Sequence, residues 1–153
     1  MAVRYLLDTN ICIYIAKHNP PAVRARFEQL SADALAMSVI TLGELQHGAE
    51  KSQARAKALA ALQQLQSAIQ VMPLTHAVGQ HFGQIRSTLE RAGQPIGNND
   101  LWIAAHARAE GWVLVTNNER EFCRVEGLAV ENWVTPKQKH YQTNSCLRLL
   151  NKR

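Results

Sequence analysis

A chain of 153 residues with 46% hydrophobic and 19% charged side chains is long enough for one domain with a sizeable core and too apolar to be disordered. Its uncharged runs are too short or too polar to span a bilayer, the start from Met1 to Asp8 has no signal-peptide layout, and cysteines at 12, 123 and 146 form no CxxC pair. A membrane span, a secretory leader and a Cys-rich zinc site are therefore not expected, and a soluble cytoplasmic protein is.

The net charge of +5 belongs to one end of the chain. Residues 1–134 carry 12 basic and 12 acidic side chains, whereas residues 135–153 carry Lys137, Lys139, Arg148, Lys152 and Arg153 and no acid. Any nucleic-acid contact by the main domain must then rest on local sites and not on overall charge.

In chain order, Val3 to Leu7 is a short apolar run ending at Asp8 and reads as a buried strand. Asp8, Thr9 and Asn10 offer capping groups to a helix over about 11–17, and Pro21 suits the first turn of the next. Ala34 to Val39 reads as a second strand, after which Ser38 or Thr41 could cap a helix carrying Leu42 and Leu45. From Ser52, Leu59, Leu62, Leu65 and Ile69 recur at helical spacing. Val71 to Leu74 is a third strand with Pro73 near its end. Val78, Phe82, Ile85 and Leu89 mark a further helix, and residues 92–99 are a Gly/Pro/Asn loop. Asp100 opens an alanine-rich helix that stops near Gly111, Trp112 to Thr116 is a buried strand, and Leu128 to Val130 adds a short last one.

Strands alternating with helices make neighbouring strands parallel. The expectation is a three-layer α/β/α sandwich over residues 1–134 with a central, mainly parallel sheet. Residues 135–153 are expected to form a basic, mobile appendage. In such folds the ligand crevice lies beyond the carboxyl ends of the strands.

Asp8, Glu44, Asp100, Glu119 and Glu121 all fall near element ends where that crevice is expected, whereas Glu28, Glu50, Glu90 and Glu110 read as solvated helix charges. Taken singly, Asp8 and Asp100 could be plain helix caps and Glu44 a surface charge. Taken together, carboxylates gathered in a crevice must protonate or bind a cation. Oxygen ligands without His or Cys suit Mg²⁺ or Mn²⁺. The six histidines show no zinc spacing, and no phosphate-loop, dinucleotide or nucleophile-elbow motif occurs.

Leu6-Leu7-Asp8-Thr9-Asn10, Thr41-Leu42-Gly43-Glu44-Leu45 with His47-Gly48-Ala49-Glu50-Lys51-Ser52, Ile96-Gly97-Asn98-Asn99-Asp100-Leu101-Trp102-Ile103-Ala104-Ala105-His106-Ala107, and Leu114-Val115-Thr116-Asn117-Asn118-Glu119-Arg120-Glu121-Phe122 resemble, in order and spacing, the PIN domain of VapC toxins from bacterial toxin–antitoxin pairs. The resemblance covers about residues 2–134. It implies a Mg²⁺-dependent endoribonuclease, with Mn²⁺ able to substitute, that uses activated water on structured RNA. A tRNA is the implied substrate, with the anticodon region of initiator tRNA favoured.

Carried over residue by residue, Asp8, Glu44 and Asp100 are the metal-binding acids. Many family members have an aspartate two residues after the Thr that ends the fourth strand; here that position is Asn118, and Glu121 would supply the fourth carboxylate. Thr9, Asn10, Thr116 and Asn118 would orient the acids. The resemblance also implies a VapB-type antitoxin partner, homodimers and a toxin–antitoxin hetero-oligomer. Lys17, Lys51, Arg86 and Arg91 are candidate phosphate contacts, and Trp112 and Trp133 read as packing residues. Two rivals stay open at this stage: a PIN-like module that binds RNA or protein without cutting, and a different metal-dependent nuclease or phosphatase.

Overall fold

The computed structural model describes residues 2–134. The basic segment 135–153 lies outside the described residues. Five short apolar strands form the sheet: β1 (Tyr5–Leu7), β2 (Leu35–Ser38), β3 (Gln70–Met72), β4 (Val113–Val115) and β5 (Val130–Glu131). Their order is β3-β2-β1-β4-β5 and every pairing is parallel, with Tyr5 opposite both Leu35 and Val113. The chain therefore builds outward from β1 to β3, then returns to the other side of β1 for β4 and β5. That reversal puts the switch point between β1 and β4.

Successive strand residues face opposite layers, and the two cores follow this alternation. Leu7, Leu35, Met37 and Val115 join Ile11, Ile15, Val23, Leu65 and Ile69 beneath helices α1 (Thr9–Lys17), α2 (Pro21–Glu28) and α4 (Arg55–Ala68). Leu6, Ala36 and Leu114 join Ile85, Leu89, Ile103 and Phe122 beneath α5 (His76–Arg91), α6 (Asn98–Glu110) and α7 (Glu119–Phe122). Helix α3 (Val39–Glu50) packs on both α4 and α6 and bridges the two layers. Covered on both faces, β1 and β2 are buried throughout and apolar at every position but Ser38 at the end of β2.

The three-layer sandwich agrees with the sequence reading, and several boundaries move for local reasons. Helix α1 starts at Thr9 because Asp8 caps it, its side chain accepting the Thr9 N–H. Ser38 and not Thr41 caps α3, accepting the Ile40 N–H at 3.1 Å. Strand β3 ends at Met72, since Pro73 has no N–H to donate to a ladder. Helix α6 starts at Asn98, which makes Asp100 its third residue and leaves Gly97 at the cap. It ends at Gly111, whose φ of 71° is a left-handed stop that glycine adopts without strain. Among the described residues no helix is long and apolar enough to cross a membrane.

Candidate active site

The carboxyl ends of β1 and β4 lie side by side, and the residue after each points into one crevice. Asp8 follows β1, held in the ladder by its N–H to the Val115 carbonyl at 2.9 Å. It is only 6% exposed. One carboxylate oxygen accepts the Thr9 N–H at 2.7 Å and the other accepts the Thr116 hydroxyl at 2.8 Å. Thr116 follows β4, is fully buried, and accepts the Asn118 N–H at 3.0 Å on the same hydroxyl oxygen. Thr116 thus relays order from the β4–α7 turn to Asp8.

Three helices bring the other acids. Helix α3 presents Glu44, whose Oε1 accepts the Thr9 hydroxyl at 2.8 Å; Thr41, one turn earlier, sits 3.4 Å from that hydroxyl. Helix α7 presents Glu121, whose Oε2 accepts the Asn118 side-chain amide at 3.0 Å. Helix α6 presents Asp100, which shares a hydrogen bond with Glu121 and feels the charges of Asp8, Glu121 and Glu44. Of the five acids singled out in the sequence, Asp8, Glu44, Asp100 and Glu121 therefore share one crevice, as do Thr9, Thr116 and Asn118, whereas Glu119 opens α7 and makes none of these contacts. Asn10 sits exposed in the first turn of α1, and the hydrogen bonds among the acids run through Thr9 and Thr116 instead.

The electrostatics follow from this crowding. Burial pushes the Asp8 carboxyl above its ordinary value, against the pull of its bonds to Thr116 and Thr9, with the charge of Glu44 adding to the rise. Burial first, then the charge of Asp8 and the contact with Glu121, push Asp100 up to about 7. At neutral pH the crevice therefore holds its negative charge at a cost that a proton or a cation relieves. The donors are all oxygen, which suits a hard divalent ion. Among the described residues, no three Asp, Glu, His or Cys side chains are closed into a ready coordination shell. Asp8 is turned to Thr9 and Thr116, and Asp100 to Glu121.

Two contributors escaped the sequence reading in this role. Thr41 was weighed only as a helix cap, although its place three residues before Glu44 puts both on one helix face. Arg124 donates to the Pro95 carbonyl at 3.1 Å, tying the loop that leads to Asp100 to the segment after α7; nothing in the sequence signals that pairing. Glu28, Glu50 and Glu90 behave as solvated charges and pair with Arg24, Arg55 and Arg86. Lys17, Lys51, Arg86 and Arg91 are exposed. Trp133 packs edge-on against Tyr5, Trp112 lies against His106, and Trp102 stacks on Phe82 at 3.9 Å.

Residues 5–128 match the PIN domain family. Over 131 residues the chain is 47% identical to a Shigella flexneri protein described as tRNA(fMet)-specific endonuclease VapC, covering 86% of this chain and 98% of that relative. It is 44% identical over 132 residues to ribonuclease VapC2 of Haemophilus influenzae, covering 86% and 99%. The crystal structure of DNA-bound VapBC from Salmonella typhimurium superposes with a TM-score of 0.81 at 42% identity, covering 86% of this chain and 98% of that one. The chain belongs to the PIN-domain family and, within it, to the VapC ribonucleases, which are in general metal-dependent.

Proposed function

We propose that this chain is a VapC-type toxin, a Mg²⁺-dependent endoribonuclease that hydrolyses a structured RNA and is held in check by a VapB-type antitoxin. The observation that carries the reading is the crevice itself: four carboxylates at the switch point, with Asp100 pushed up to about 7 by burial first and by its acidic neighbours in addition. Such a cluster is costly to fold unless a cation is its purpose.

In this reading Asp8, Asp100 and Glu121 hold Mg²⁺, and Glu44 completes the set. When bound, the cation activates water for attack on phosphorus and screens the negative charge that builds on the phosphoryl oxygens. The chain's own residues supply the geometry. The Thr9 N–H and the Thr116 hydroxyl fix both oxygens of Asp8, so that its carboxylate cannot rotate away. The Thr9 hydroxyl holds Glu44 toward Asp8. The Asn118 amide holds Glu121 beside Asp100, so the departure from aspartate at position 118 removes a charge yet retains an orienting donor. This last point favours a working site over a binding-only module. Attack by water leaves 5′-phosphate and 3′-hydroxyl ends.

The substrate proposed is a tRNA, initiator tRNA first, because the Shigella relative is described as acting on tRNA(fMet). RNA is read most readily at exposed single-stranded loops, which an anticodon loop provides. Exposed Lys17, Lys51 and Arg91 are available for phosphates. An antitoxin partner is supported by the likeness to a VapBC structure, and a basic side chain from it would neutralise the crevice. Homodimers and a toxin–antitoxin hetero-oligomer are part of the same proposal. Mn²⁺ is expected to replace Mg²⁺.

The test is incubation of partner-free protein with bulk tRNA in Mg²⁺, Mn²⁺ or EDTA, beside Asp8→Ala. Discrete fragments that need both the cation and Asp8 support the reading. Intact tRNA in every lane, from protein shown to be folded, contradicts it.

A further inference from the structure

His106 is a fully buried histidine for which the chemistry above has no use. It lies in α6, six residues after Asp100, and its Nδ1 is 2.9 Å from Ser38 Oγ. Ser38 is also fully buried. It ends β2 and caps α3, and Glu44 lies six residues further along that helix. One buried hydrogen bond therefore joins the start of the helix that carries Glu44 to the middle of the helix that carries Asp100.

Hydrogen-bond accounting assigns the tautomer. Ser38 Oγ already accepts the Ile40 N–H, and His106 Nε2 is buried with no hydrogen-bond partner among the described residues. A proton on Nδ1 would make Ser38 Oγ accept twice, leave its own O–H without a use in this cluster, and leave the Nε2 lone pair buried. A proton on Nε2 lets the Ser38 hydroxyl donate to Nδ1. The Nε2–H is then the one group of the pair left without a partner. The second arrangement leaves fewer groups unpaired. The ring is neutral, since burial lowers its pKa and outweighs the nearby charge of Glu110.

We infer that His106 is a positioning residue for the cation site: through Ser38 it pins the β2–α3 junction to α6 and so sets the spacing of the Glu44 and Asp100 carboxylates. The inference rests on the reading of the acid crevice proposed above. Packing alone does not account for an imidazole here. A buried ring with one nitrogen lacking a strong partner is a poorer core residue than leucine. What the imidazole adds is one directional bond between two helices that must hold carboxylates at a fixed separation. Ligand-orienting contacts of this kind commonly tune metal affinity.

The experiment measures Mn²⁺ binding by electron paramagnetic resonance, together with urea unfolding, on the full chain. The variants are His106→Leu, His106→Asn, Ser38→Ala and the His106→Leu/Ser38→Ala double. The asparagine amide can take the place of Nδ1. We expect His106→Leu and Ser38→Ala each to weaken Mn²⁺ binding on the order of tenfold. Ser38→Ala also loses the cap that accepts the Ile40 N–H, so we expect the double variant to bind Mn²⁺ no worse than Ser38→Ala alone, the Ser38–His106 bond being already absent there. His106→Asn should keep most of the affinity. His106→Leu leaves the buried Ser38 hydroxyl without its acceptor and should unfold at a somewhat lower urea concentration, whereas His106→Asn should match the unaltered chain, so positioning is read from Mn²⁺ affinity measured on folded protein; if His106→Leu does not fold, Ser38→Ala and His106→Asn decide. Unaltered Mn²⁺ affinity in His106→Leu and Ser38→Ala, with normal binding by the parent chain, overturns this inference alone. Failure of the parent chain to bind Mn²⁺ overturns the crevice reading and this inference with it.

Discussion

Replacing Asp100 with asparagine isolates the electrostatic strain in the crevice. The Asp100 carboxyl titrates at about 7 in the folded chain against an ordinary value of 3.8, so the folded state holds that proton more tightly than the unfolded state does. Its ionisation therefore destabilises the fold progressively as pH rises from about 4, and fully above about 7. For a completely shielded group the interval would be worth roughly 4 kcal/mol. Asp100 is half-buried, and solvent screening reduces this to about 1–2 kcal/mol. Asparagine keeps the shape of the protonated acid and cannot ionise. Asp100→Asn should therefore be about 1–2 kcal/mol more stable than the parent chain at pH 8 in EDTA, roughly 2–8 °C in Tm, and close to it at pH 4.5. Urea unfolding at both pH values measures this. Added Mg²⁺ should stabilise the parent chain more than the variant. Equal or lower stability of the variant at pH 8, or a gain at pH 4.5 as large as at pH 8, would refute the argument that the acids repel one another in a shared crevice.

Other substitutions probe the contacts around it. Thr116→Val removes the hydroxyl that donates to Asp8 and accepts from Asn118; it should cost about 1–3 kcal/mol in urea unfolding and raise the Asp8 pKa read by NMR. Asn118→Asp puts a charge beside Glu121 and removes the amide that donates to it; the added charge should lower stability at pH 8 in EDTA and tighten Mn²⁺ binding, and unchanged stability together with unchanged binding would contradict the placing of position 118 among the acids. Phe122→Ala empties a fully buried position beneath α7; it should cost about 3–5 kcal/mol, seen as a lower urea midpoint, and should weaken cation binding by loosening Glu121.

The parts of the fold legible in the sequence were those with a strong local signal. Leu6-Leu7-Asp8 reads as a strand end because an apolar run meets a capping acid, and the structure has β1 and α1 meeting there. Val78, Phe82, Ile85 and Leu89 read as a helix because their spacing repeats, and α5 carries them. Helix α7 has only four residues, too few for any periodicity to register, so the sequence pattern assigns no element there. Asp100 reads as a cap, but Gly97 caps α6 and leaves Asp100 inside its first turn, where it meets Glu121. Asp8, Asp100 and Glu121 were legible because each lies near an element end, whereas Glu44, expected near one too, sits mid-helix as the sixth residue of α3 and was legible through the family resemblance. The network that orients them was legible only in part, since Thr116 to Asp8 spans 108 residues and Ser38 to His106 spans 68. Such pairs depend on strand order, and nothing in local pattern reveals that β4 lies beside β1.

The most direct test of the central claim is the chemistry of the RNA ends after cleavage of bulk tRNA by the partner-free protein. Water attack organised by Asp8, Glu44, Asp100 and Glu121 predicts fragments with 5′-phosphate and 3′-hydroxyl termini, formed in Mg²⁺ and abolished by EDTA. Fragments ending in 2′,3′-cyclic phosphate and still formed in EDTA would mean that the ribose hydroxyl attacks without a cation, and would contradict the account.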